Sequence, residues 1–515
     1  MSAPTYDLGK LHGGLRLKAN KTAATAAPIR DMPVPAQLIL PLAQHAGEPA
    51  DPVIDVGERV LKGQLVAAAY GAMGVPVHAS SSGTVVAIEP WPVSSRYGET
   101  APCIVIDCDG EDQSYDTGED TGEPAGLIAD LSPVRLRERI LEGGIVGLGG
   151  AVFPTAQKLT QASGCELEYL ILNGVECEPY ISCDDVLMRE RAEAVVGGGR
   201  ILMRALGIER CHIVVESDKP EALHALGDAI AIATTADDTG LILKQVPTIY
   251  PSGGEDQLVQ LVTNREVPSG GLPTDVGCLV QNVGTAAAVY DWIVKREPLI
   301  SRITTVTGDG VHSPQNVRAR IGTTVADLIA FAGGYTDRAA QLIVGGPMTG
   351  KSVTTDRVPL VKASNCILAL SETPTTGVTR PCIRCGECAE VCPILLLPQQ
   401  LHWYACADDE DKLRLHGLTD CIECGCCDLV CPSHIALTAR FRQAKARIRE
   451  LADEKARAER ARRRFEAREQ RLADERLDRN RELEAQKSRA RRAGPEAIAD
   501  ILRRKRRDKE QDKKD

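Results

Sequence analysis

The chain has 515 residues, enough for about three or four domains. With 43% hydrophobic and 26% charged residues it can bury cores, yet no run approaches the ~18 consecutive apolar residues of a spanning helix, and the first residues lack an apolar secretory core. A net charge of −10 and 3% aromatics argue against a nucleic-acid partner, and 18 cysteines without an export signal point to metal ligation or burial rather than disulfides.

Residues 1–110 read as β. Segments 53–66 (VIDVGERVLKGQLV) and 75–88 (VPVHASSSGTVVAI) are short apolar runs split by Gly and Ser. Two such halves predict a barrel-sandwich hybrid like a lipoyl module. Its tip, near Gly71 and Gly74, has no Lys to carry a prosthetic group, so a structural role is expected. Residues 111–125 are acidic and Gly-rich and predict a solvated linker. Over 126–300, strand-like 168–173 (EYLILN) and 211–215 (CHIVV) alternate with helical 185–207 and 219–234. That alternation predicts an α/β domain with a mainly parallel sheet. Residues 301–365 read as a small α+β, β-grasp module, with a capped helix within 321–329. Residues 366–436 hold a cysteine array. Residues 437–515 form a polar helix broken at Gly494-Pro495, followed by a basic stretch at 503–514. From Ala436 on there are 28 basic and 17 acidic residues, a net of +11, leaving −21 for the rest.

The array carries the strongest signal. Cys382-x2-Cys385-x2-Cys388-x3-Cys392-Pro393 recurs as Cys421-x2-Cys424-x2-Cys427-x3-Cys431-Pro432. In this two-cluster ferredoxin spacing, three thiolates on a tight loop bind one cubane and the fourth reaches the other. Cys382, Cys385, Cys388 and Cys431 are therefore expected to hold one 4Fe–4S cluster, and Cys421, Cys424, Cys427 and Cys392 the second. Zinc sites use two short pairs and fit this spacing poorly. Cys426 is off the spacing and is not expected to be a ligand.

The second signal is the glycine-rich run 143–155 (GGIVGLGGAVFPT). It fails as a dinucleotide fingerprint, because Val152 stands where the last Gly belongs. Bare backbone still lets a ligand approach closely, and Pro154-Thr155 starts a helix with Lys158 one turn in. Polar loops follow later strands: Asn173 to Pro179 (with Glu176 and Glu178), Tyr250-Pro251-Ser252-Gly253-Gly254-Glu255, and Asn282 to Thr285. Such loops are where open α/β sheets bind ligands, so a flavin or nucleotide cleft is expected.

In that order, these motifs resemble the FMN- and NADH-binding flavoprotein subunit of respiratory complex I. With the barrel, the two-cluster array and the basic tail added, roughly residues 10–435 resemble the RnfC family, from the Rnf complexes that act as ion-translocating NADH:ferredoxin oxidoreductases. The resemblance implies that Gly147, Gly149 and Gly150 line FMN and the nucleotide, and that Lys158 faces a phosphate or ribose. Asn173, Glu176, Gly253, Glu255, Asn282 and Thr285 would hydrogen-bond FMN within the motif that includes Tyr250 and Gly254. Glu178 would lie near the NADH ribose. The loop departs from the complex I pattern at Leu148, where Arg stands, and at Val152, where Gly stands. The implied function is a peripheral subunit on the cytoplasmic face of the bacterial inner membrane. It would pass electrons between NAD(H), FMN and two 4Fe–4S clusters, alongside membrane-embedded subunits and an iron–sulfur subunit. A soluble diaphorase module feeding a hydrogenase-type acceptor and a non-catalytic iron–sulfur scaffold are the alternatives.

Overall fold

The computed structural model describes residues 9–94, 98–115, 131–233, 240–372 and 377–511. Its contacts separate two units, Met1–Phe441 and Arg442–Asp515.

The first unit begins with a small all-β body. Strands Gln37–Pro41, Thr100–Cys108, Gly83–Pro92 and Arg59–Val60 form an antiparallel sheet, in that spatial order. Strands Asp51–Pro52, Leu65–Ala68 and Val77–His78 form a second. Leu38, Leu40, Val60, Val66, Val85, Ile104 and Ile106 are buried in its core. The segment just beyond is not the solvated linker expected. Asp109 accepts from Ser82 Oγ (2.7 Å), and Asp112 pairs with Lys62 (2.9 Å) and Arg320 (2.7 Å). Residues 116–125 of that linker lie outside the described residues.

The α/β domain has a four-stranded, all-parallel sheet in the order Leu241–Val246, Cys211–Glu216, Tyr169–Gly174, Cys278–Asn282. Both faces are covered, so successive apolar residues go to different cores. Leu170 and Leu172 pack with the Ala192–Leu206 and Val283–Lys295 helices, while Ile171 packs with the Glu255–Thr263 helix. The helix expected over 185–207 is two helices, Cys183–Glu190 and Ala192–Leu206. They break at Arg191 (φ −134°, ψ 34°), whose guanidinium binds Asp291 at 2.6 and 2.9 Å. Three glycines inside the second helix let it press against Val283–Lys295: a Cβ on Gly198 would sit 1.8 Å from the Ala286 carbonyl oxygen.

The β-grasp sheet runs Arg30–Asp31, Gln315–Arg320, Ser301–Thr307, Cys366–Leu370, Gln341–Val344, Lys351–Ser352. Thr324 caps its Val325–Phe331 helix, accepting from the Asp327 amide at 3.1 Å. Two strands come from beyond 301–365: Arg30–Asp31 at the edge, and Cys366–Leu370 in the interior.

In the cysteine module, one-turn helices Glu387–Glu390 and Cys426–Leu429 follow two matching loops. Residues 9–15 reach across to it. Gly14 N–H donates to Val391 (3.0 Å), and Leu15 exchanges hydrogen bonds with Tyr250 (2.7 and 2.9 Å). Gly13 (φ +56°) passes so close that a Cβ would lie 2.7 Å from the Cys392 carbonyl. The helix Leu437–Gln511 carries the second unit and breaks at Gly494 (φ 76°, ψ 168°), before Pro495, as expected. Phe465 and Leu472 on it are exposed. Among the described residues no helix is long and apolar enough to cross a membrane.

Candidate functional site

The two cysteine loops repeat each other residue by residue. Positive φ recurs at Arg384 and Gly386, then at Glu423 and Gly425, and again at Leu395 and His434. Alternating right- and left-handed backbone turns successive N–H groups into one concavity, a geometry suited to anionic sulfur clusters. Cys382, Cys385, Cys388 and Cys431 surround one cavity of about 390 Å³. Cys392, Cys421, Cys424 and Cys427 surround another of about 360 Å³. Each cavity thus takes three cysteines from its own loop and a fourth from the other. Cys392 and Cys431 lie just past the one-turn helices rather than on following helices. Cys426, buried at the start of its turn, also borders the second cavity. A zinc ion would draw its thiolates to roughly 3.8 Å from one another. Among the described residues only Glu176, Cys183 and Asp184 come close enough together for a single ion. The cysteine quartets are spaced for something larger, which fits a cubane.

The α/β sheet reverses its strand order between Tyr169–Gly174 and Cys278–Asn282, the place where such sheets open a crevice. Asn173 and Asn282 pair across it at the carboxyl ends. Asn173 donates to the Gly253 carbonyl (2.9 Å) and accepts from the Val175 amide (3.0 Å). Asn282 caps the following helix by accepting from the Gly284 amide (2.8 Å) and donates to Asp184 (2.6 Å). Thr285, fully buried, accepts from the Leu148 amide (2.9 Å). Gly147 donates to the Phe153 carbonyl (2.8 Å), closing the glycine loop. Gly149 and Gly150 are exposed at its tip, and Gly150 (φ +109°) has no atom within 4 Å of its would-be Cβ. The loop therefore offers bare backbone, as a close-packed planar or anionic ligand requires. Val152, where complex I has Gly, takes φ +45°, a conformation costly for a β-branched residue.

Lys158 spans Glu255 (2.7 Å) and the Val280 carbonyl (2.8 Å), so Lys158 and Glu255 are brought together as an ion pair. Gly254 precedes the Glu255–Thr263 helix, and a Cβ on Gly253 would meet the Val175 carbonyl at 2.6 Å. Glu176 is buried. Its carboxylate accepts from the Asp184 and Asp185 amides (2.9 and 3.4 Å), and Lys21 lies 3.9 Å away. Burial and the neighbouring Glu176 carboxylate raise the pKa of Asp184. Glu178 is engaged differently from the ribose contact expected of it. It accepts from the Met348 and Thr349 amides and the Thr349 hydroxyl (2.8, 2.9 and 2.7 Å), bracing a β-grasp loop. Tyr250 is buried and donates its phenol to the Cys424 carbonyl at 2.7 Å, tying the α/β loop to one cysteine loop.

Sequence reasoning missed Lys21, Asp184, Arg302 and Lys362. Lys21 touches Glu176, and the buried Arg302 donates to the Leu148 carbonyl (2.7 Å) and to the Lys362 carbonyl. Lys362 donates to the Gly144 carbonyl (2.7 Å). Only Asp184, next to a cysteine near the flavin motif, carried any local signal.

Family models match three stretches: an RnfC barrel sandwich hybrid domain over 9–111, a Nuo51 FMN-binding domain over 140–291, and an SLBB domain over 303–352. The RnfC-type subunit of the ion-translocating oxidoreductase complex of Pseudomonas aeruginosa is 49% identical over 462 residues, covering 89% of this chain and 58% of that protein. The protein of the same name in Yersinia pestis bv. Antiqua is 44% identical over 470 residues, covering 91% and 74%. The chain thus spans under two thirds of the length of the Pseudomonas relative. A chain of an NAD+-reducing NiFe hydrogenase in its H2-reduced state superposes with a TM-score of 0.44 and 20% identity, over 63% of this chain and 64% of that one.

Proposed function

The chain belongs to the RnfC family of ion-translocating oxidoreductase complexes, and we propose from that premise that it is the NADH-oxidising, peripheral electron-transfer subunit of such a complex. Bound FMN supplies the conversion of a two-electron hydride into single electrons. The chain's own residues bind and orient. Gly149 and Gly150 present backbone to the flavin, and Asn173, Asn282 and Thr285 fix the crevice around it. The Lys158–Glu255 pair stands ready to exchange partners with a phosphate or ribose. Glu176 and Tyr250 complete the wall. Glu178 couples this cleft to the β-grasp module. The two quartets hold one 4Fe–4S cluster each. The partners are membrane-embedded subunits, which carry the ion, and an iron–sulfur subunit that exchanges electrons with ferredoxin at the cytoplasmic face.

One observation carries the electron path: the Tyr250 phenol on the Cys424 carbonyl. It supports the cluster of Cys392, Cys421, Cys424 and Cys427 as the one nearer the flavin, with the other quartet, whose Cys385 is exposed, at the exit. The test is the visible spectrum of the anaerobically reconstituted chain before and after NADH. Bleaching of flavin and iron–sulfur absorption together supports the path. A chain that binds no FMN and takes no electrons from NADH overturns it. Tyr250→Phe should slow cluster reduction more than flavin reduction, and equal slowing of both would reassign the tyrosine to packing.

A further inference from the structure

The β-grasp module sends two buried cations into the α/β domain, and both end on the glycine loop. Arg302 is 5% exposed and Lys362 is 2% exposed. Lys362 Nζ donates to the Gly144 carbonyl (2.7 Å) and to Pro76 of the barrel (3.2 Å). Arg302 donates to the Leu148 carbonyl at 2.7 Å and, through its other terminal nitrogen, to the Lys362 carbonyl. The two side chains are therefore one connected brace, gripping the loop at carbonyls four residues apart. The hydrogen bonds of both cations end on backbone carbonyls, with no carboxylate among these partners. Burying two cations for backbone carbonyls alone is expensive, so the arrangement is not what stability by itself selects.

Peptide planarity says what the brace does. The C=O of one residue and the N–H of the next point in opposite directions. Holding the Leu148 oxygen toward Arg302 aims the Gly149 N–H away from the β-grasp module, toward the exposed tip of the loop. On the other side of the same residue, the Leu148 amide is held by Thr285. The loop is thus fixed from both faces.

We propose that Lys362 and Arg302 are positioning residues by which the β-grasp module sets the glycine loop for flavin binding, so that FMN affinity depends on how that module is seated. The inference rests on the flavin reading above. The full chain, with clusters reconstituted, tests it as Lys362→Met and Arg302→Met, beside the conservative Lys362→Arg and Arg302→Lys. FMN affinity is read by fluorescence quenching, loop order by hydrogen exchange over residues 143–155, and integrity by iron content. Each Met variant should weaken FMN about tenfold, or about 1.4 kcal/mol, and speed exchange in 143–155 at wild-type iron content. The conservative variants should recover most of the affinity. Wild-type FMN affinity in both Met variants overturns the proposal. So does a parallel loss of iron, FMN and exchange protection throughout the chain, since that reports general unfolding. A wild-type chain that binds no FMN instead overturns the flavin reading itself.

Discussion

Gly198→Ala should loosen the flavin crevice from a distance. The residue lies in the Ala192–Leu206 helix, where Gly costs about 1 kcal/mol relative to Ala. On propensity alone the substitution stabilises. Packing opposes it. The new Cβ would stand 1.8 Å from the Ala286 oxygen and 2.4 Å from its carbon, and real Cβ atoms essentially never come within 3.0 Å of such a neighbour. The helices must therefore part by at least 1.2 Å, the difference of those two distances, because backbone cannot rotate away. Ala286 adjoins Thr285, whose hydroxyl holds the Leu148 amide at 2.9 Å, and a shift of that size takes the bond past hydrogen-bond range. Overpacking of this kind costs about 1–3 kcal/mol and the lost bond about 1 more. The net is a destabilisation of about 1–3 kcal/mol. For a domain of this size each kcal/mol moves the thermal midpoint by about 2–4 °C. FMN affinity should fall at least about fivefold. Gly227→Ala, in the Pro220–Ala233 helix with nothing within 4 Å of the new Cβ, is the control and should raise the midpoint slightly. A Gly198→Ala midpoint equal to or above wild type, with FMN affinity unchanged, would refute the packing argument.

The reconstituted chain should hold about eight irons; Cys427→Ser should lower that count and Cys426→Ser, off the repeated spacing, should not, as iron analysis will show. Burial pushes Lys362 down from 10.5 to about 7, so the unfolded chain binds more protons than the folded one across that window and stability rises with pH through it. The groups facing the ammonium, His78 and His45, are themselves pushed down and stay neutral there. Denaturant unfolding at about pH 7 and about pH 9 should therefore show wild type gaining on Lys362→Met by on the order of 1 kcal/mol per unit, and parallel curves would count against the buried ammonium. Truncation after Gly494 removes the basic stretch at 503–514 and should leave NADH:ferricyanide activity intact while weakening membrane retention in a salt-dependent way. Retention unchanged at every salt concentration would make the tail a merely solvated helix.

What the sequence made legible was local. Cluster loops declare themselves because four ligands must fall within a dozen residues, and the crevice loops because strand ends, helix caps and glycines share short motifs. The three glycines at 197–199 were visible but looked like a defect in a helix. Their sense lies in Ala286 and Tyr290 on another helix, which no window of sequence contains. Arg302 and Lys362 were invisible for the same reason. Each serves a carbonyl more than 150 residues away, and a carbonyl leaves no mark on residue identity. Glu178 was legible as functional, but its partners Met348 and Thr349 bind it through backbone amides that any residues would supply.

The passage of Gly13 and Gly14 beneath the second cysteine loop bears on the order of biogenesis. Gly14 bonds to Val391, some 377 positions later. At about 5–20 residues per second, a ribosome needs roughly 20–75 s to make the second after the first. Throughout that interval the earliest strand of the chain has no dock, while the barrel and the parallel sheet have time to form around their own nearer contacts. The segment closes last, over a loop that includes a ligand of one quartet and abuts Tyr250. Iron delivery before that closure meets an open loop, and delivery after it meets a fastened one. Maturation machinery therefore has a window set by translation, and a bulky fusion placed just ahead of Gly9 should lower iron loading more than it lowers the yield of folded barrel.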